Sequence, residues 1–279
     1  MNDFCPGERK LLQSFALRKD WIQSIATFCR AGAGAVVLAG LLAACSGTKE
    51  EEYVERDVGE IYNMAGNYLD DRQYRFAAAY FDEVERQHPY SAWARRAQLM
   101  AAYSYYMSNK YEDAVLAAER FLALHPGNKD APYAYYLIAI CYYEQISDVG
   151  RDQKMTEMAM SALQEVVRRF PNTDYARDAA LKLELTRDHL AGKEMAVGRF
   201  YLNAQEYLAA AMRFRTVVEK YNTTTHVPEA LHRLTETYLA LGMIDEARAA
   251  AAVLGHNYPG DKWYKRSYAP LSRKGIRQA

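Results

Sequence analysis

The chain has 279 residues, and its 35 basic and 35 acidic side chains give a formal net charge of zero at pH 7. Half of the residues are hydrophobic and 25% are charged, which excludes a disordered chain and suffices for one large domain or a solenoid. The neutral balance gives no support for nucleic-acid binding. Tyrosine is unusually frequent, and all 23 tyrosines fall between residues 53 and 268.

The first 44 residues differ in kind from the rest. Five basic residues precede an apolar run, Ala31–Ala44, that is too short to span a bilayer, which needs about 20 residues, but is typical of a signal-peptide core. The run ends in Leu-Ala-Ala-Cys45, which resembles a bacterial lipobox, where small residues admit the signal peptidase and the cysteine thiol is acylated. The alternative is an ordinary secretory signal followed by a chance cysteine. We predict a lipoprotein signal peptide over residues 1–44 and a lipid on Cys45.

A polar, acidic segment follows the lipid site and has almost nothing to bury. We interpret residues 45–57 as the lipidated cysteine and a flexible tether to the folded domain. Ser46, rather than an aspartate, after the cysteine fits the lipoprotein pattern of export to the outer membrane. Cys141 is then the one free thiol, so no disulfide forms within the mature chain. Its apolar context predicts a buried small hydrophobe, and a reactive thiol is the alternative.

Residues 95–128 form the clearest unit of the chain. Spacings of three and four residues place Ala101 and Tyr105 on one helical stripe, and Ala114 and Phe121 on a second stripe. A proline then ends the second helix, because inside it the ring would remove a backbone donor. This 34-residue pattern resembles a tetratricopeptide repeat (TPR), a helical hairpin that cannot bury its apolar faces alone.

The hairpin recurs from residue 58 onward, and each copy ends in a stop residue. We therefore predict an all-α fold, a superhelical solenoid of about five tetratricopeptide-like hairpins. The stops are Pro89, Pro126, Pro171, Asn222 and Pro259.

Two insertions interrupt the regular spacing of 37 residues between stops. The third copy is eight residues longer, which predicts a longer loop between its helices at residues 147–152. The fourth copy has a surplus of 14 residues within Tyr175–Ala191, about four helical turns. This surplus either extends the first helix of that copy or forms a separate helix.

The tail, residues 260–279, carries six basic residues and one acidic residue. Trp263, Tyr264 and Tyr268 are predicted to cover the exposed face of the last hairpin, because a terminal repeat needs a cap. The final ten residues are expected to be mobile.

The sequence contains no catalytic or metal-binding pattern. A glycine-rich phosphate loop, a metal-spaced cysteine and histidine cluster and a nucleophile elbow are all missing. His88 and His125 each precede a stop proline at the same repeat position, so they are repeat equivalents rather than ligands. We predict a protein that is not an enzyme and needs neither a cofactor nor a metal.

Function is predicted to reside on the concave surface, which the first helix of each hairpin builds. In the TPR family, positions two, five, nine, twelve and thirteen face inward, and in this sequence they bring six tyrosines and one arginine together. Tyrosine offers an apolar face and a polar tip at low entropic cost, and arginine can pair bidentately with a peptide carboxylate. The alternative is that several rings pack between helices. The same positions also turn Leu99 and Ile140 inward. The predicted groove residues are Tyr62, Arg96, Tyr103, Tyr106, Tyr133, Tyr136 and Tyr143.

The lipobox, the acidic tether and five hairpins with insertions in the middle resemble the BamD family of outer-membrane protein assembly factors. The likeness covers essentially the whole mature chain, and residues 72–106, 166–179 and 238–255 carry it most clearly. The resemblance implies a non-enzymatic periplasmic lipoprotein of the β-barrel assembly machine, held at the outer membrane. It implies that repeats 1–3, residues 58–174, recognise unfolded barrel proteins through an aromatic-rich C-terminal signal. Repeats 4 and 5, residues 175–259, are implied to dock on the barrel subunit BamA and on small Bam lipoproteins.

Two alternatives to that function stay open at this point. One is another periplasmic TPR lipoprotein that organises cell-wall synthesis or division proteins, and the other is a lipid-anchored enzyme regulator. For the docking half, position alone favours Arg187 and Arg199 as contacts to BamA.

Overall fold

The computed structural model describes the backbone of residues 55–273 and the side chains of residues 55–267. Within that range, eleven α-helices follow one another and no strand occurs. The predictions on residues 1–54, including the signal peptide and the lipid on Cys45, lie outside the described residues. The helices are α1 Val58–Asp70, α2 Tyr74–Gln87, α3 Ala92–Met107, α4 Tyr111–Leu124, α5 Ala131–Tyr143, α6 Lys154–Arg169, α7 Asp174–Asn203, α8 Tyr207–Lys220, α9 Val227–Leu241, α10 Ile244–Asn257 and α11 Lys262–Arg273.

The helices α1 to α10 form five hairpins that stack in chain order. Each helix packs against the next one along the chain, and the first helices α1, α3, α5 and α7 also touch one another in sequence. One hairpin cannot bury its own apolar stripes, so each stacking interface completes the core of the hairpin before it. The predicted all-α solenoid of five TPR-like hairpins is confirmed.

The second helix of every hairpin buries the same two positions, seven residues apart and therefore on one helical face. An alanine allows the neighbouring helix to approach, and a larger apolar residue fills the gap beside it. Replacing Phe121 or Leu254 by alanine costs about 2–5 kcal/mol, because a cavity remains. The alanines are Ala77, Ala114, Ala159, Ala210 and Ala247, and the larger residues are Val84, Phe121, Val166, Val217 and Leu254, all at most 1% exposed.

The predicted stop residues end the second helices. The residue before each stop leaves the helical region, with φ between −123° and −134°, and its N–H still donates to the carbonyl of the larger buried residue. A proline at the next position has no N–H to continue the helix. The local sequence therefore sets the ends of four of the five second helices.

The first helix of a hairpin ends in a left-handed residue in four of the five copies. These residues are Arg72, Asn109, Gln205 and Gly242, with φ between 59° and 78°. A left-handed residue just past a helix lets the chain reverse within a short turn, and glycine adopts this conformation at the lowest cost. The third hairpin instead has the longer loop predicted from its insertion.

The surplus of the fourth copy lengthens its first helix, because α7 is one helix of 30 residues. Gly192 lies in the middle of α7, where a Cβ would stand 3.2 Å from Nε2 of His226. The ammonium group of Lys193 donates to the carbonyl oxygens of Gly150 and Arg151, both at 3.3 Å. The longer helix thus supports the longer loop of the preceding hairpin.

The tail continues as a helix, α11, which packs on the last hairpin. Trp263 and Tyr264 lie against a buried cluster that includes Leu231 and Leu254. The cap predicted for these two residues is confirmed, and the side chain of Tyr268 lies outside the described residues. The backbone of residues 270–273 continues α11, which docks on α9 and α10. The expectation of a mobile end stays a prediction.

The cysteine prediction is also confirmed. Cys141 is fully buried in α5. Burial, and to a smaller extent the nearby Glu144, raises the pKa of its thiol to about 12. The group therefore stays protonated near neutral pH and packs as a small hydrophobe.

Candidate functional site

An open cleft of about 710 Å³ lies between α1, α3 and the connection from α4 to α5. Tyr62 lies at this cleft, with its ring centroid 5.4 Å from that of Phe81 and 4.8 Å from that of Trp93. These contacts hold the Tyr62 ring in place from two sides. Leu99 and Met100 add apolar surface to the cleft wall. The cleft can therefore accept an apolar or aromatic side chain next to a fixed phenol ring.

The same cleft is positively charged. Arg95, Arg96 and Lys129 line it, and Asp130 is its one acidic lining residue. Arg95 and Arg96 are exposed, and their side chains have no hydrogen bond or ion pair to any other described residue. Two adjacent guanidinium groups without a partner in this part of the chain suit a carboxylate, which they bind through parallel N–H donors.

A cluster of tyrosines lies next to the cleft on α3, α5 and α7. The ring of Tyr175 lies 5.6 Å from that of Tyr133 and 5.3 Å from that of Tyr136. Burial raises the pKa of Tyr133, and the hydroxyls of Tyr103, Tyr175 and Tyr106 raise it further. The phenols therefore stay neutral near pH 7 and offer apolar faces with hydroxyl donors.

Polar contacts on α7 fix the far side of this cluster. The hydroxyl of Tyr136 donates to Asp178, and the ammonium group of Lys182 lies 2.8 Å from the same carboxylate. Burial on its own raises the pKa of Asp178, but the hydrogen bonds from Lys182 and Tyr136 outweigh it, so the pKa is lowered. Lys182 also lies 5.8 Å from the ring centroid of Tyr143. A charged network thus orients two of the predicted groove tyrosines.

The structure brings the predicted groove residues together in two groups. Tyr62 and Arg96 share the cleft, and Tyr103, Tyr106, Tyr133 and Tyr136 form the cluster with Tyr175. Tyr143 is half-buried against the core between α6 and α7, so it supports the cluster from beneath. The sequence-based placement of Ile140 in the groove is wrong, because its side chain is only 5% exposed.

Sequence reasoning missed two aromatic residues and two cations. Trp93 and Tyr175 each stand four residues after a stop proline, and Trp263 repeats that spacing after the last stop. This repeated aromatic position was a usable signal. The cations Arg95 and Lys129 carried no such signal. Lys129 lies in the connection between two hairpins and not at a repeated helical position.

The two arginines predicted for docking have partners within the chain. A guanidinium nitrogen of Arg199 lies 3.0 Å from Glu229 on α9, and one of Arg187 lies 2.7 Å from Glu184, one turn earlier on α7. Arg199 thus ties the fourth hairpin to the fifth. Their role in docking on another protein stays a prediction.

The described residues offer little else that resembles a reactive site. Residues 55–267 contain no group of three or more histidine, cysteine, aspartate or glutamate side chains placed to hold a metal ion. None of the helices in the described range combines the length and the apolar character needed to cross a membrane.

Comparison with known proteins identifies the family. The sequence profile of a family described as "Outer membrane lipoprotein" (YfiO) matches residues 54–254. The outer membrane protein assembly factor BamD of Caulobacter vibrioides is 51% identical over 248 residues, which cover 88% of this chain and 81% of that protein. The chain belongs to the BamD family. The BamD of Rickettsia prowazekii is 44% identical over 233 residues, which cover 84% of this chain and 93% of that protein.

Solved TPR structures resemble this BamD-family chain only distantly. The thermophilic TPR protein TTC0263 of Thermus thermophilus has 19% identity and a TM-score of 0.36, with coverage of 77% of this chain and all of the other. The TPR domain of P58(IPK) has 13% identity and a TM-score of 0.41, with coverage of 79% and 67%.

Proposed function

We propose that this BamD-family chain is a non-enzymatic, lipid-anchored subunit of the machinery that inserts β-barrel proteins into the outer membrane. The observation that carries the proposal is the 51% identity to a BamD over most of both chains. The lipobox-like sequence at Cys45 supports an anchor on the periplasmic face of the outer membrane. Multiple acyl chains on one residue suffice for stable anchoring, whereas a single chain binds only marginally.

The concave surface of repeats 1–3 binds the C-terminal signal of an unfolded barrel protein. In this proposal, the terminal carboxylate pairs with Arg95 and Arg96, and an aromatic side chain near it packs on Tyr62. The preceding residues lie along the tyrosine cluster, where hydroxyl groups reach backbone carbonyls. Because the substrate segment is flexible, ordering it costs several kcal/mol, so the affinity is modest and release is easy.

Repeats 4 and 5 hold the chain in the complex. The partners are the barrel subunit BamA and small Bam lipoproteins, and Arg187 and Arg199 of α7 are the residues that we propose for these contacts. Both arginines are partly engaged within the chain, so a partner that uses them supplies carboxylates in competition with Glu184 and Glu229.

An affinity purification of the lipidated full chain in mild detergent, followed by mass spectrometry, tests the proposal. We expect to recover a large outer-membrane barrel protein with periplasmic repeats. Recovery of cell-wall synthesis or division enzymes without any barrel subunit would replace the assembly role by the alternative predicted from the sequence. A Cys45→Ser variant tests the anchor, because it should be recovered in the soluble fraction.

A further inference from the structure

A second cleft lies on the side of α5 opposite to the tyrosine cluster. Its volume is about 510 Å³, and α4, α5 and α6 line it. Ile138 and Tyr142 of α5 form its floor, half a helical turn away from Tyr133 and Tyr136. We call this cleft the outer groove of repeats 2 and 3. A ligand there leaves the concave surface free.

The second helices of neighbouring repeats carry equivalent positions, so the walls of this cleft can be compared with the other repeats position by position. One wall contributes the residue seven positions before a stop, and the other wall contributes the residue six positions before the following stop. Of the four pairs of residues defined in this way, only Glu119 and Glu165 carry charges of the same sign. In chain order the four pairs are Asp82 and Arg120, Glu119 and Glu165, Gln164 and Thr216, and Arg215 and Val253.

Between repeats 1 and 2, at the place that we call the first groove, a cation joins the two second helices. A guanidinium nitrogen of Arg120 lies 3.7 Å from Asp82 and 3.7 Å from Glu85. The hydroxyl of Tyr105 also donates to Asp82. Burial raises the pKa of Asp82, and the hydrogen bond from Tyr105 and the charge of Arg120 oppose that rise. The cation that crosses this groove therefore offsets part of the cost of burying this carboxylate.

The outer groove of repeats 2 and 3 has an acid where Arg120 stands in the first groove. That acid, Glu165, pairs with Arg168 and Arg169 on its own helix. Glu119 on the opposite wall has no hydrogen bond or ion pair to any described residue. Leu122 and Met158 complete apolar walls beside it. The groove thus combines an apolar floor with a carboxylate that lacks its crossing cation.

We propose that the outer groove binds a protein segment in which a lysine or arginine adjoins an apolar side chain. The cation of that segment meets Glu119 as Arg120 meets Asp82 in the first groove, and the apolar side chain covers Ile138 and Tyr142. The occupant is a partner protein, because charge complementarity with the carboxylate of Glu119, which no described cation pairs, above an apolar floor selects a basic and apolar peptide. This surface goes beyond the substrate cleft and lies on the other face of α5.

The probe is a phage-displayed library of random twelve-residue peptides, selected on the lipidated full chain in detergent. Sequences that also bind a Glu165→Arg variant are removed, because that substitution restores the crossing cation and closes the groove. We expect the remaining peptides to share a lysine or arginine next to an apolar residue. Enrichment of peptides without a basic residue, or no enrichment over the variant, overturns the proposal.

The strongest arginine-containing peptide is then synthesised together with a copy in which citrulline, a neutral isostere, replaces the arginine. We expect citrulline, or the substitution Glu119→Gln, to weaken binding about threefold, as for one ion pair at an exposed site. Both changes together should weaken it no further, since they remove the same contact. Glu157→Gln removes an exposed acid of α6 outside the groove and serves as the control. Independent, additive losses refute the pairing of the peptide cation with Glu119.

Discussion

Substitution of Gly255 tests how the last helix is held. In the other second helices, the residue after the larger buried one has a side chain, as Leu122 does. In α3 and α7, the position that corresponds to Tyr264 is the buried alanine Ala94 or Ala176. At the last interface, α10 has a glycine where the other second helices have a larger residue, and α11 has a tyrosine where α3 and α7 have an alanine. The ring of Tyr264 therefore occupies the space beside Gly255.

The structure gives the size of the effect. A Cβ at position 255 would lie 2.7 Å from the Tyr264 ring, closer than side chains tolerate, so the ring must move. Such overpacking costs about 1–3 kcal/mol. Alanine also favours a helix over glycine by about 0.5–1 kcal/mol. We expect Gly255→Ala to destabilise the chain by about 1 kcal/mol. In a Tyr264→Ala background only the helical gain remains, so the same substitution should stabilise it.

Urea unfolding of the full chain in detergent, followed by far-ultraviolet circular dichroism, measures both effects. Gly66→Ala in α1 is the matched control, because nothing lies within 4 Å of its added Cβ. It should stabilise the protein by about 0.5–1 kcal/mol in either background. If Gly255→Ala stabilises the otherwise unchanged chain as Gly66→Ala does, the Tyr264 ring does not occupy that space and the reasoning fails.

Three further predictions concern separate parts of the chain. Burial alone raises the pKa of Glu236, but hydrogen bonds and charges from a neighbouring histidine and arginine lower it to about 2. The ionised Glu236 therefore contributes its full stabilisation above about pH 4.5, and this contribution is lost as the pH falls towards 2. Acid-unfolding curves of Glu236→Gln should lack this pH dependence. Gln205→Gly relieves a left-handed φ of 63° and should raise the free energy of unfolding by up to about 1 kcal/mol, whereas Gly242→Ala, at φ 78°, should lower it by a similar amount. A peptide that ends in phenylalanine with a free carboxylate should bind about fivefold more tightly than its amide. Because Arg95 remains, Arg96→Gln should reduce that difference in calorimetry without abolishing it, and an unchanged difference would remove Arg96 from the carboxylate site.

The hairpins were predictable from the sequence because their ends depend on local chemistry. Prolines end the second helices wherever they stand, and small residues at repeated positions allow close helix packing. The fate of the surplus in the fourth copy was not predictable, because a glycine within a helical pattern leaves both outcomes open and the space beside Gly192 is filled by His226, which lies far along the chain. α11 was missed as a helix for the same reason, since its stability comes from docking on α9 and α10.

The candidate site was predictable in outline and not in detail. Helical periodicity placed the tyrosines of α3 and α5 on one face, and the structure brings four of them together. Periodicity failed for Ile140, because the rotation of α5 about its axis follows from packing against both neighbouring helices. Tyr175 was overlooked because the sequence around it was read as part of an insertion. The charge of the cleft depends on Lys129, which belongs to a connection between hairpins and not to a repeated helical position.

The contacts of Lys193 with the longer loop have a consequence for variation within the family. The loop gains two hydrogen-bond donations from α7, and α7 gains cover for its middle, where Val149 lies 3.5 Å from the position of a Cβ on Gly192. The longer loop and the longer helix therefore support each other, and we expect the two insertions to vary together. Chains that lose one insertion should lose the other with it, and a deletion of both should be tolerated better than a deletion of either.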